Sequence, residues 1–126
     1  MITVKKAIST HEILIEESGG SAGVRDLGGL EAAIARPYAT FDQQDLYATP
    51  IDKAAAILES LIINHPFVDG NKRIAYVLMR SILLEYDIKL SADENERYKF
   101  VIAASMGEIR FEEIKTWLEA NTTPTK

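Results

Sequence analysis

The sequence predicts an all-α fold, a compact bundle of helices with one surface flap. Three observations carry that prediction. Apolar residues recur at helical rather than alternating spacing. The apolar stretches are bounded by capping residues, glycines and prolines. Two of them, strongly apolar, flank a single polar run, His65-Pro66-Phe67-Val68-Asp69-Gly70-Asn71-Lys72-Arg73. At 126 residues, one domain spanning 1–126 with its own core is expected.

The elements follow in order. Ser9 with Glu12 three residues on is a capping-box pattern, and a short helix through Ile13, Leu14 and Ile15 is expected to stop at Gly19-Gly20. Residues 19–29 hold five of the seven glycines, which reads as a loop with special backbone needs. Asp26 caps a second helix through Leu30, Ala33 and Ile34 that ends before Pro37. From Pro37 to Tyr47 the chain is aromatic and polar without helical period, which suits a surface hairpin or flap. Thr49-Pro50 with Asp52 starts a third helix to about Asn64, with Ile51, Ala54, Ala55, Leu58, Leu61 and Ile62 on one side. A fourth helix, from near Asn71 to Tyr86, is apolar almost all round and is expected at the centre of the fold. Ser91 with Glu94 caps a fifth helix through Phe100, Val101, Ile102 and Ala104, and Gly107 breaks it. A last amphipathic helix carries Phe111, Ile114, Trp117 and Leu118, and the tail from Asn121 is expected to fray.

Composition narrows the function. Fourteen Lys and Arg against nineteen Asp and Glu leave a net charge of −5, which argues against direct nucleic-acid binding. The chain has no cysteine, so disulfides and thiolate metal sites are excluded and a reducing cytoplasm fits. Lys5 and Lys6 are followed by no apolar run that would read as a leader, and no stretch is long enough to span a membrane.

The run His65–Arg73 concentrates the chemistry. A loop that ends where a helix begins aims free N–H groups and the positive end of the helix dipole at whatever binds there. Lys72 and Arg73 sit at that helix start, where cations oppose the dipole. Their placement costs stability unless an anion joins them. Asp69 offers oxygen to a divalent metal, and His65 is suited to take a proton near neutral pH. Pro66 stiffens the loop, Gly70 supplies positive φ or close approach, and Phe67 anchors the loop in the core. The run is not a Walker A loop, since the four-residue spacer and the Ser/Thr after lysine are missing. Two histidines and no cysteine do not make a histidine-rich zinc site. His11 reads as a plain surface or packing residue, and Tyr98 and Trp117 as core or rim.

The run resembles the signature of the Fic/Doc family, in particular its death-on-curing (Doc) branch of toxins. Gly19-Gly20, Gly23-Val24-Arg25-Asp26, Leu30-Glu31-Ala32-Ala33 and Asn64-His65 extend the resemblance over roughly residues 7–120. The resemblance implies an all-helical core with the motif between two central helices. It implies transfer of part of ATP, with Mg²⁺, onto a hydroxyl of a target protein. His65 would be the general base, Asp69 the metal ligand, and Lys72 and Arg73 further catalytic cations. Gly70, Asn71, Lys72 and Arg73 would cradle the phosphates, with Phe67 counted among the cofactor-binding residues. The flap would add an extended target segment as a strand.

Members that transfer AMP have glycine where this chain has Lys72, whereas Doc-type kinases are similar to it in carrying lysine. The resemblance therefore implies transfer of the γ-phosphate to Ser/Thr, with elongation factor Tu as target. Protein AMP transfer, or a non-catalytic binding module, are the alternatives. Many Fic proteins carry an inhibitory Ser/Thr, three residues, Glu, Gly/Asn. Here the one Glu of that kind is Glu94-Asn95, preceded four residues earlier by Leu90. That implies a toxin silenced in trans by a separate antitoxin.

Overall fold

A computed structural model describes residues 1–125. Among them are six α-helices: α1 (Val4–Ser18), α2 (Leu27–Ala35), α3 (Pro50–Asn64), α4 (Asn71–Glu85), α5 (Glu94–Ser105) and α6 (Phe111–Ala120). A 3₁₀ turn, Arg36–Tyr38, follows α2 and leads into a small antiparallel hairpin, β1 (Thr40–Phe41) and β2 (Gln44–Asp45). A second antiparallel pair joins β3 (Ile88–Leu90) to β4 (Thr122–Pro124). The architecture is the all-α bundle with a surface flap that the sequence predicts.

The helix at the centre is α3 rather than α4. Every residue from Lys53 to Leu61 is buried, and α3 packs against α2, α4, α5, α6 and the 3₁₀ turn. The run Ala54-Ala55-Ala56, each 0 % exposed, explains this, because small side chains let neighbouring helices approach on several sides. Its start is secured by a complete capping box between Thr49 and Asp52, with Pro50 in the first turn. On α4 the buried positions Ile74, Ala75, Leu78, Met79, Ile82 and Leu83 form one face, while Leu84 is exposed and Tyr76 and Val77 are half-buried. The expectation that α4 is enclosed all round is thus corrected.

Three boundaries also differ from the expectation. The first helix begins at Val4, with the Thr3 hydroxyl accepting from Lys6 N at 3.1 Å. Ser9 and Glu12 lie inside it, because burial of Ile2 and Ala7 draws the preceding residues into the packed helix. Asp93, not Ser91, caps α5, accepting from Glu96 N at 2.8 Å. Ser91 instead donates its backbone N–H to Asn121 O. The residues after Asn121 do not fray: Thr122–Pro124 pair with β3 in the register Leu90↔Thr122 to Ile88↔Pro124. The β-branched Thr122 and Thr123 suit that pairing.

The flap is bolted at its base. Lys53 Nζ, on buried α3, donates to the carbonyls of Tyr47 and Pro37 and pairs with Asp45 at 3.4 Å. Arg36 Nε donates to the Tyr47 hydroxyl at 2.8 Å, and its guanidinium lies over the Tyr47 and Phe111 rings. The tip residues Asp42 and Gln43 both have positive φ, the geometry of a two-residue hairpin turn. Phe41 and Leu46 are left exposed on this flap.

Candidate active site

The run His65–Gly70 bridges the C-terminus of α3 and the N-terminus of α4, the two most extensively packed helices. Two segments from the N-terminal part of the chain hold it. The glycine-rich loop between α1 and α2 lies alongside like a short strand. Arg25 N and Asp26 N donate to Pro66 O at 2.7 and 3.0 Å, Val68 N donates to Gly23 O at 3.0 Å, and Val24 bridges to Phe67. Gly20 and Gly23 have φ of 110° and 118°, conformations that a side chain rarely adopts. That is the special backbone need which the glycine count signals.

His65 is the residue that ends α3, in the left-handed conformation (φ 49°, ψ 53°), with its N–H on Leu61 O. The conformation costs a non-glycine residue about 1–2 kcal/mol. Arg25 holds it there: its Nε donates to His65 O at 3.1 Å and its Nη2 reaches both His65 O and Asn64 O. The imidazole itself is exposed and faces the same cavity, of about 270 Å³, as Asp69, Lys72 and Arg73. A base that must reach a proton on an incoming molecule needs such exposure.

Asp69 is exposed and accepts two backbone N–H groups, Gly70 N at 2.8 Å and Ser21 N at 3.2 Å. These bonds, with smaller help from Arg73 and His11, hold its carboxyl below the usual carboxylate range. The loop carrying Ser21 comes so near that a Cβ on Gly20 would sit 2.7 Å from Asp69 Oδ2.

Gly70 precedes α4 at φ 73° and supplies no side-chain cap, so the N–H groups of the first turn are left for a ligand. The Asn71 side chain is not available to one. It is buried, and its amide is paired with both the N–H and the carbonyl of Phe67 at 2.9 Å, closing the loop on itself. Asn71 can therefore offer a cofactor only its backbone. Phe67 is 1 % exposed and stacks on His11, so its ring serves the loop from the core rather than touching a cofactor. Lys72 is exposed at the cavity. Arg73 Nη1 leans on the carbonyls of Leu14 and Gly19 at 3.3 and 3.5 Å, by the C-terminal end of α1, which offsets part of the dipole penalty. A wider cavity of about 590 Å³ adjoins Lys72 and Arg73 on the α5 side, between Tyr76, Arg80, Arg97 and Tyr98.

The donor chemistry on this cavity is one carboxylate beside two cations and a helix start, a set that magnesium with phosphate could use. Among the described residues no three His, Cys, Asp or Glu side chains cluster. Magnesium needs no such cage, since it keeps water and is held by one or two carboxylates together with substrate phosphates. Asp69, held ionised beside the uncapped helix start, is the carboxylate on this cavity that could hold such an ion.

Sequence reasoning missed Arg25, Ser21 and the part played by His11. His11 is 1 % exposed, and its Nε2 lies 2.7 Å from Asp69 O. A signal was present: Ala7, His11 and Leu14 are spaced along one helical face. Trp117 is a packing residue, stacked on Phe100 at 3.8 Å, and Tyr98 is exposed at the rim of the wider cavity.

Residues 1–83 match the Fic/DOC family, and the chain belongs to that family. Over 75 residues it is 49 % identical to the "Toxin Doc" of Mycolicibacterium smegmatis (strain ATCC 700084 / mc(2)155). The matched stretch covers 60 % of this chain and 58 % of that relative, so the chain spans rather more than half of the relative's length.

Proposed function

We propose that this protein is a Doc-type toxin that transfers the γ-phosphate of ATP to a Ser/Thr hydroxyl of a translation protein, elongation factor Tu being the target that the Doc resemblance suggests. The observation that carries this reading is the convergence of His65, Asp69, Lys72 and the uncapped first turn of α4 on one cavity.

In this reading the exposed His65 takes the proton from the target hydroxyl as its oxygen bonds to the γ-phosphorus. The bond to the β–γ bridging oxygen breaks and ADP leaves. The backbone N–H groups after Gly70, with Lys72 and Arg73, hold the phosphate oxygens and stabilise their charge. Mg²⁺, held by Asp69 and the phosphates, would neutralise charge between the phosphate groups. The flap, with Phe41 and Leu46 exposed, would receive an extended stretch of the target. An antitoxin supplied in trans would silence the protein, the partner that the Doc resemblance implies.

Label transfer tests the reading. Incubation of elongation factor Tu with this protein, Mg²⁺ and γ-labelled ATP is expected to label the target, and α-labelled ATP is not. His65→Ala should slow transfer by about 10²- to 10⁴-fold, the usual worth of a general base, while ATP binding persists. Label from the α position would make the protein an AMP-transferase. Undiminished transfer in His65→Ala would remove His65 from the mechanism.

A further inference from the structure

We propose that His11 is the positioning residue that sets the orientation of the Asp69–Gly70 peptide, and with it the polarity of the phosphate cradle. The inference rests on reading the start of α4 as a phosphate site.

His11 reaches the loop from 58 residues upstream. Its ring lies flat on Phe67, with centroids 3.9 Å apart and planes at 11°. Its Nε2 meets Asp69 O at 2.7 Å. A carbonyl only accepts, so Nε2 carries the proton and donates. The C=O and N–H of a trans peptide point in opposite directions. Holding the Asp69 carbonyl against buried His11 therefore turns the Gly70 N–H to the open side, where it reaches the Asp69 carboxylate.

Such a device is needed at this position. Turning a peptide over changes φ of the residue that follows it. That residue here is Gly70, at φ 73°, for which both signs of φ are open, so a turned state at negative φ competes with the observed one. Glycine also suits the position: at φ 73° a side chain would be strained, and its Cβ would sit tight, 3.3 Å from Ile15 Cδ1. Glycine thus leaves its peptide free to turn, and the histidine on α1 removes that freedom. With the peptide reversed, a carbonyl oxygen would face the anion site and repel phosphate.

His11→Met and His11→Gln separate the donor from packing. Both lose the aromatic stack and have similar shape, but only Gln can donate to Asp69 O. In free ¹⁵N,¹³C-labelled protein, His11→Met is expected to shift the Asp69 carbonyl carbon and to split or broaden the Gly70 amide. His11→Gln should keep a single Gly70 signal near its wild-type position. Titration with sodium pyrophosphate should show binding about fivefold to tenfold weaker in His11→Met, the worth of one net hydrogen bond, and restored within twofold in His11→Gln. Equal behaviour of the two variants in the Gly70 and Asp69 signals, whether both wild-type-like or both perturbed, would overturn the proposal. Wild-type protein that ignores pyrophosphate would sink the phosphate-site reading, and the two NMR signals would still decide what His11 does.

Discussion

At the scale of single residues, the site depends on backbone groups that are aimed as carefully as side chains. Arg25 holds the His65 carbonyl, His11 the Asp69 carbonyl, and the Asn71 amide spans Phe67 between them. Gly20 combines φ at 110° with a close neighbour, Asp69 Oδ2, 2.7 Å from where its Cβ would be. Gly20→Ala is expected to lower stability by about 1–3 kcal/mol through backbone strain and to displace the Asp69 carboxylate. Urea denaturation and Mg²⁺-dependent ATP binding would measure the two effects. Both should fall together, and unchanged stability would show that the loop relaxes freely. That His65, Asp69 and Lys72 would share one cavity was legible in the sequence, because they lie within nine residues of a loop and helix start. Arg25 and His11 were not, because what they hold lies 40 and 58 residues away.

At the scale of elements, Glu59 is the joint between the flap, α3 and α6. Its Oε1 pairs with Arg36 at 2.8 Å, and its Oε2 takes Arg110 Nε at 3.1 Å and Phe111 N at 2.7 Å. Arg36 carries the connection on to Tyr47 at the flap base. Glu59→Gln keeps the shape but leaves both guanidinium groups without their charge partner. It is expected to cost about 2–3 kcal/mol, less than a fully buried pair because Arg110 is largely exposed. The urea midpoint measures this, and the same variant should weaken target transfer if the flap is the docking edge. Helix types and order were readable from periodicity and caps. The errors fell where a local signal competed with packing. Ser9 and Ser91 have the chemistry of caps, but burial of Ile2 and Ala7 and the β3–β4 pairing decided the boundaries. The hairpin after Pro37 was legible because that stretch lacks any helical period.

At the scale of the whole molecule, one core built around α3 supports a site at the junction of α3 and α4. Three carboxylates stabilise this assembly in their ionised form. Burial pushes the Glu59 carboxyl upward, but hydrogen bonds from Arg36, Arg110 and Phe111 outweigh it and leave it below the usual range. Burial likewise opposes ionisation of Asp52, and Lys115 and Thr49 outweigh it. Backbone N–H groups lower Asp69. Groups held below their unfolded values contribute fully above those values, about 3.9 for Asp and 4.3 for Glu, and lose the contribution as pH falls through the folded ones. The urea midpoint should therefore change little on their account between pH 7 and about 5, and drop below about 4. Glu59→Gln should make the acid limb shallower, and an identical limb would contradict the sign worked out here. The central position of α3 was hidden in the sequence because three consecutive alanines carry little hydrophobic weight, although their small size is what lets helices pack around them.

The central claim is group transfer driven by His65. The most direct test is the intact mass of elongation factor Tu after incubation with this protein, ATP and Mg²⁺, beside the His65→Ala variant. The account predicts a gain of one phosphate with the wild-type protein and none with the variant. A gain of one AMP, or the same phosphate gain with His65→Ala, would contradict it.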